Sequence, residues 1–207
     1  MKYFNFIFSL IFLALGFNVV RAEEPSNKKS QFEVGIENTR LVFGKYTYNN
    51  HITAKLNLSL YSEKISLQYI RGTVGYKTGF NFVNLSGEYF FGSAFNGNYF
   101  NTGAVIKADA MFVKRLLIDA QLAPWYDSGY GYNTCFEAKL GCKITNHINI
   151  KAGYTTIPQY RMSERRILGG FDFSTPHLYV SPYLSIGTGE KSGGKNIRVL
   201  FDFGYKF

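Results

Sequence analysis

The residues best suited to chemistry in this 207-residue chain are few and scattered. His51, His147 and His177 could act as general bases, but each falls between two patterned segments, at what reads as a short turn beside Asn50, Asn146 or Pro176. Turn or interface roles are therefore expected for all three. Asp109 and Asp119 flank the Lys114-Arg115 turn, where facing carboxylates could share acid and base work, and the nearby Lys107 predicts a structural ion pair instead. No HExxH, GxSxG or His-x-Ser arrangement occurs. The run Gly-Thr-Gly-Glu-Lys-Ser-Gly-Gly at 187–194 resembles a phosphate loop only superficially, since it joins two strand patterns rather than a strand and a helix, and reads as a flexible loop. Cys135 and Cys142 lie seven apart on one predicted strand, on opposite faces and about 24 Å from one another, so a bond between them within a monomer is excluded. No catalytic residue, cofactor or metal site is assigned on this reading.

What must position such residues begins with export. Lys2 is followed by a mostly apolar stretch from Phe4 to Val20 and then by Val20-Arg21-Ala22, the order of a signal peptide cut after Ala22. Removal of 22 residues from 207 leaves 185 and lowers the formal charge from +9 to +7 by loss of Lys2 and Arg21. Residues 23–30 are polar and read as a periplasmic lead, and 31–207 as one domain without a linker. No later stretch approaches the ~18 unbroken apolar residues of a spanning helix. Export argues against nucleic acid as partner of the basic surplus and favours phosphate-bearing lipopolysaccharide. The basic group Arg161, Arg165 and Arg166, in a predicted outer loop, is a candidate contact for it, with a solvated loop as the alternative.

The dominant pattern from Gln31 onward is period two in runs of about ten residues. Ile52-Ala54-Leu56-Leu58-Leu60, Ala104-Ile106-Ala108-Ala110-Phe112 and Phe136-Ala138-Leu140-Cys142-Ile144 each carry polar or small residues in the opposite phase. Short connections at Asn49-Asn50, Lys77-Thr78-Gly79, Lys114-Arg115, Thr145-Asn146 and Thr175-Pro176 are interleaved with mostly longer ones: 93–98, 127–133, 158–165 and 187–194. Two shorter outer connections, Asn38-Thr39-Arg40 and Ser62-Glu63-Lys64, complete the set. This predicts an all-β closed antiparallel transmembrane β-barrel of about 12 strands, with both termini periplasmic. Counts of 10 or 8 are the alternatives, because residues 31–48 also read as one long strand. Pro182 inside a predicted strand runs against the same reading, since a barrel has no free edge to absorb a missing N–H.

At the C-terminus the pattern becomes specific. Val199, Phe201, Phe203, Tyr205 and Phe207 alternate with Leu200, Asp202, Gly204 and Lys206, an exposed apolar row hazardous in water and required against lipid. The segment resembles the C-terminal strand signal of Gram-negative outer-membrane β-barrel proteins. That resemblance implies that Phe201, Phe203, Tyr205 and Phe207 are read by the barrel assembly machinery. It covers the rest of the chain only as alternation and turn spacing.

The inward phase then holds Lys45, Lys55, Lys107, Lys139, Lys143, Lys151, Arg166, Arg198 and Lys206 against Glu33, Glu37, Glu88, Asp109, Asp119, Glu137, Asp172 and Asp202, close to charge balance. Such a lumen is either cross-braced and occluded or a hydrated pore whose mixed charges set selectivity, and twelve strands enclose more than the side chains of about eight can fill. A narrow pore for small solutes is expected, with a plugged structural or surface-interaction barrel as the alternative and a lipid-modifying enzyme third. Tyr46, Tyr48, Tyr89, Phe90, Phe91, Trp125, Tyr126, Tyr130 and Tyr132 crowd strand ends and are expected in aromatic girdles at the headgroup level.

Overall fold

The computed structural model describes residues 30–61, 66–80, 82–112, 115–157, 164–188 and 196–207. Twelve strands follow one another in chain order: β1 (Gln31–Glu37), β2 (Leu41–Tyr48), β3 (Ile52–Tyr61), β4 (Ser66–Phe80), β5 (Val83–Ala94), β6 (Phe100–Phe112), β7 (Leu116–Asp127), β8 (Gly131–Lys143), β9 (Ile148–Thr155), β10 (Arg166–Ser174), β11 (Leu178–Gly187) and β12 (Ile197–Lys206). Each pairs antiparallel with the next, and β1 pairs with β12, so the sheet closes on itself. The expectations that fall on residues 1–29, on Ser62-Glu63-Lys64, on Lys114, on Arg161 and on most of 187–194 lie outside the described residues.

Closure follows from the alternation. The phase carrying Leu56, Ile106, Leu140 and Ile150 faces outward and exposed, and the phase carrying Glu33, Asn57, Lys139 and Arg166 faces inward. In water a wall with so many exposed aliphatic and aromatic side chains would aggregate; against hydrocarbon it is the favourable arrangement.

The possibility of one long strand over 31–48 is resolved by a tight turn. Asn38 and Thr39 adopt φ of 51° and 64°, and Arg40 N donates to Glu37 O at 3.2 Å. Two left-handed residues in succession make a type I′ hairpin, and Asn49-Asn50 repeats the device at φ of 49° and 60°. Thr39 is a β-branched residue in a region such residues avoid. It is held there by β12: Thr39 N donates to Phe201 O and Phe201 N donates to Thr39 Oγ1, both at 2.9 Å. The β1–β2 hairpin therefore stops at the level of Phe201. Below, β1 and β12 pair from Glu33–Lys206 to Ile36–Phe203. At Gly35, opposite Gly204, a Cβ would stand 1.9 Å from Phe203 O, so the close approach at this seam requires glycine.

Pro182 is accommodated by a break in one ladder. The β10–β11 register runs through Gly170–Tyr183 and resumes at Phe173–Val180, leaving Phe171 and Asp172 unpaired opposite Pro182 and Ser181, while the β11–β12 ladder is continuous through Pro182–Phe201. Pro124 in β7 sits at the same kind of break, between Gly103–Trp125 and Ile106–Leu122. In each case the missing N–H coincides with an interruption on one side only. One turn differs from expectation: Lys77, Thr78 and Gly79 are not a connection but stay paired with Ser86, Leu85 and Asn84, and the pairing runs on to Phe80–Val83.

Candidate functional site

The lumen is lined by ion pairs, most of them between strands. Lys55 Nζ donates to Glu37 Oε2 at 2.6 Å, Lys107 lies 3.2 Å from Glu88, Lys139 2.7 Å from Glu137, and Lys45 3.5 Å from Glu33. Lys151, on β9, reaches both Asp119 of β7 at 2.5 Å and Asp172 of β10 at 2.9 Å, and Tyr183 donates to the same Asp172 at 2.6 Å. Asp109 and Asp119 face one another across the β6–β7 ladder. The cation beside this pair is Lys151; Lys107 is taken by Glu88, which corrects the expectation that Lys107 would serve them. Asp202 Oδ1 accepts from Asn38 N at 2.6 Å, and Lys206 lies over the Tyr179 ring.

Two inward patches are apolar. Phe90, Val105, Ala123, Trp125 and Cys135 pack together with Ile157 against them, and Leu168, Tyr183 and Leu200 form a second group. Phe90 and Trp125 meet edge to face at 4.8 Å, both buried, so these two members of the expected girdle are lumen residues. The reason is phase: they share the inward parity of Glu88 and Asp127. Gly103 makes room, since a Cβ there would stand 2.5 Å from Pro124 O and 2.9 Å from the Phe90 ring. Tyr46, Tyr48, Tyr89, Phe91, Tyr126, Tyr130 and Tyr132 are exposed. Cys135 is buried inside and Cys142 exposed outside, both unbonded, as opposite faces of one strand require.

Between the charged and apolar walls lies a cavity of about 430 Å³, bounded by Glu37, Lys55, Arg71, Glu88, Lys107, Glu137, Lys139 and Asp202 on its polar side and by Phe90, Val105, Trp125 and Ile157 on the other. It reaches the β1–β2 turn at Asn38, Arg40 and Leu41 and adjoins a smaller space of about 80 Å³ against Leu168, Tyr183 and Leu200. The volume is more than ten times the ~30 Å³ share of a liquid water. Arg71 was reachable from parity alone, since Tyr69, Arg71, Thr73 and Gly75 share the inward phase of β4. Glu164 was not: it precedes β10 in a connection without periodicity, yet it is fully buried and receives Arg198 Nη1 on both carboxylate oxygens, at 3.0 and 2.9 Å. With Ile157 packed against the Phe90–Trp125 group, both described ends of the β9–β10 connection are turned into the barrel.

Arg166 belongs to the interior as well. Its guanidinium is fully buried, donating to Ser185 Oγ at 2.5 Å, Ser185 O at 2.8 Å and Asn196 Oδ1 at 2.7 Å, so it is removed from the lipopolysaccharide group. Arg165 is exposed at the same end of the barrel. Nearby, Tyr99 donates to Asp127, Asn101 Nδ2 donates to Tyr99 Oη at 3.0 Å and Tyr69 donates to Asn101 Oδ1 at 2.6 Å. Burial, reinforced by the Asp127 carboxylate, pushes the Tyr99 hydroxyl well above the ordinary phenol range, so it holds its proton and donates.

The histidines occupy the opposite end, where they repeat one motif three times. The Nδ1 atoms of His51, His147 and His177 lie 2.9, 3.0 and 3.3 Å from the carbonyls of Lys77, Ser174 and Lys206. The amides of those three residues donate back to the histidine carbonyls at 2.8, 2.8 and 2.7 Å. Each imidazole also rests on the preceding aromatic residue, Tyr76, Phe173 or Tyr205. A carbonyl only accepts, so Nδ1 carries the proton in each neutral ring. The three rings act as clasps between adjacent hairpins.

No family model matches the sequence, and the search of curated proteins returns no match. Solved structures do resemble the fold. The chain is similar to the KdgM porin, at 9% identity with a TM-score of 0.54, and to the KdgM porin in complex with disordered oligogalacturonate, at 9% identity with a TM-score of 0.55; each superposition covers 86% of this chain and 97% of that one. It is also similar to a structure from work on the in-meso crystallization of membrane proteins, at 10% identity and a TM-score of 0.58, covering 86% of this chain and 83% of that one. The fold they share with this chain is the closed antiparallel β-barrel.

Proposed function

We propose that this chain is an outer-membrane barrel forming a narrow pore for small solutes, exported as a precursor and cleaved after Ala22. The observation that carries the reading is the mixed-charge cavity of about 430 Å³ inside a closed twelve-strand wall, reaching the β1–β2 turn at Asn38 and Arg40. Ion pairs along opposite sides of an aqueous passage hold their long side chains against the wall and leave the centre to water and solute. The outward apolar face meets outer-membrane lipid, with lipopolysaccharide phosphates at Arg165, and the assembly machinery reads Phe201, Phe203, Tyr205 and Phe207. The porins of similar fold are not enzymes, and the histidines here are engaged as clasps.

The test is planar-bilayer recording of the refolded mature chain, residues 23–207. Steady single-channel steps, together with swelling of proteoliposomes in small neutral sugars, are expected; a silent, impermeable barrel would overturn the pore. A second reading, a constricted barrel without transport, is favoured by the inward ends of the β9–β10 connection, with Glu164 sealed against Arg198 and Ile157 on the aromatic group.

A further inference from the structure

Each acid bounding the cavity is held by a described residue, whereas Arg71 has no hydrogen bond to any of them. Glu37 is held by Lys55 at 2.6 Å and by Asn57 Nδ2 at 2.9 Å, Glu88 by Lys107, Glu137 by Lys139, and Asp202 by the Asn38 amide. Arg71 stands 4.0 Å from Glu37, beyond hydrogen-bond range, and donates to none of the described residues. Its Nε is buried without an acceptor, while its side chain remains 18% exposed among the residues bounding the cavity. The guanidinium lies 5.4 Å over the Phe90 ring. Beyond that ring stand Trp125, Val105 and Ile157, with the Trp125 Nε1 also buried and without an acceptor.

From this the geometry points to a lumen site for a small amphipathic monocarboxylate, its carboxylate on Arg71 and its hydrocarbon body against Phe90, Val105, Trp125 and Ile157. The anion follows from Arg71, whose ion pair with Glu37 is long and whose guanidinium makes no hydrogen bond to a described residue; a phosphate dianion or a polyanion would need more free donors than Arg71 supplies. The carboxylate follows from the planar guanidinium fork, which donates to two oxygens side by side. The hydrocarbon body follows from the apolar wall, whose side chains offer a solute hydroxyl no acceptor and only the Trp125 indole N–H as donor. The inference rests on the pore reading for the solute's route to the site, whereas occupancy itself can be read without conduction.

The experiment uses the single tryptophan of the sequence, Trp125, as reporter. The refolded barrel in detergent is titrated with cyclohexanecarboxylate, and in parallel with cyclohexylammonium, cyclohexanol and acetate. A saturable change in Trp125 emission is expected with cyclohexanecarboxylate alone, and Arg71→Gln should weaken its binding by at least about tenfold, the loss of a charge-assisted hydrogen-bond pair. Folding of the variant is checked by heat-modifiable electrophoretic mobility. Equal responses to the carboxylate, the ammonium and the alcohol in the unaltered chain would overturn the proposal whether or not the variant folds, as would an unchanged titration in folded Arg71→Gln. Bilayer recordings separate the two readings. Saturable carboxylate binding in a silent barrel keeps the site and refutes the pore, whereas conduction without carboxylate-specific binding or block keeps the pore and refutes the site.

Discussion

Replacing Lys151 by Met isolates the electrostatics of the lumen from its packing, because Met keeps most of the apolar stem and removes the charge. In the native barrel Lys151 is 16% exposed and lies between Asp119 and Asp172, themselves 22% and 19% exposed. The two carboxylates are not equally dependent on it. Asp172 retains the Tyr183 hydroxyl, whereas Asp119 has Lys151 as its hydrogen-bond partner and faces Asp109 across the ladder. Removing one partner of a mostly buried pair costs about 3–5 kcal/mol, and the residual exposure of these groups places the expected loss near the lower end, about 3 kcal/mol. With a urea slope of about 2 kcal/mol/M, the unfolding midpoint of the refolded barrel in lipid vesicles, followed by Trp125 emission, should fall by about 1.5 M. Adding Asp119→Asn should recover most of that loss, and adding Asp172→Asn much less. A loss below about 0.5 kcal/mol, or equal recovery from both second substitutions, would refute the reasoning.

Glu164→Ala should free the β9–β10 connection from Arg198 and raise single-channel conductance above the native value; an unchanged conductance would mean the connection does not narrow the passage. Alanine at His51, His147 and His177 together should lower stability by about 1–2 kcal/mol in the same unfolding assay, since three exposed hydrogen bonds of separate hairpins contribute less than about 1 kcal/mol each and add. Deletion of Phe207, or Asp at Phe203 and Tyr205, should block membrane assembly in cells; the lipid-face penalty for charge is at most ~2–4 kcal/mol per site, so normal outer-membrane levels would refute recognition of this segment by the assembly machinery. An affinity tag at Ser192 should bind antibody on whole cells and one after Asn146 only after permeabilisation, with the reverse pattern overturning the proposed orientation.

The alternation alone determined the class of this protein, because a residue's parity on a strand decides which face it takes, and only a closed barrel in lipid tolerates so long an outward apolar row. Parity also carried Lys107, Asp119, Lys139, Lys151, Asp172, Arg198 and Asp202 to the inner face. What parity does not contain is which inward groups meet. That depends on register and stagger between strands distant in sequence, so the partner of Asp119 was decided by the arrival of β9, and that of Arg198 by Glu164 from a connection with no period at all. Phe90 and Trp125 show the same limit: composition suggested a headgroup girdle, and the closed wall turned them onto each other inside. Arg166 was removed from the surface for the same reason, its guanidinium donating to Ser185 of β11 and to Asn196 just before β12. The prolines close the comparison, since a missing N–H is tolerable in a barrel only where one ladder is interrupted, and the interruptions at Pro124 and Pro182 are properties of the folded register rather than of the strands that carry them.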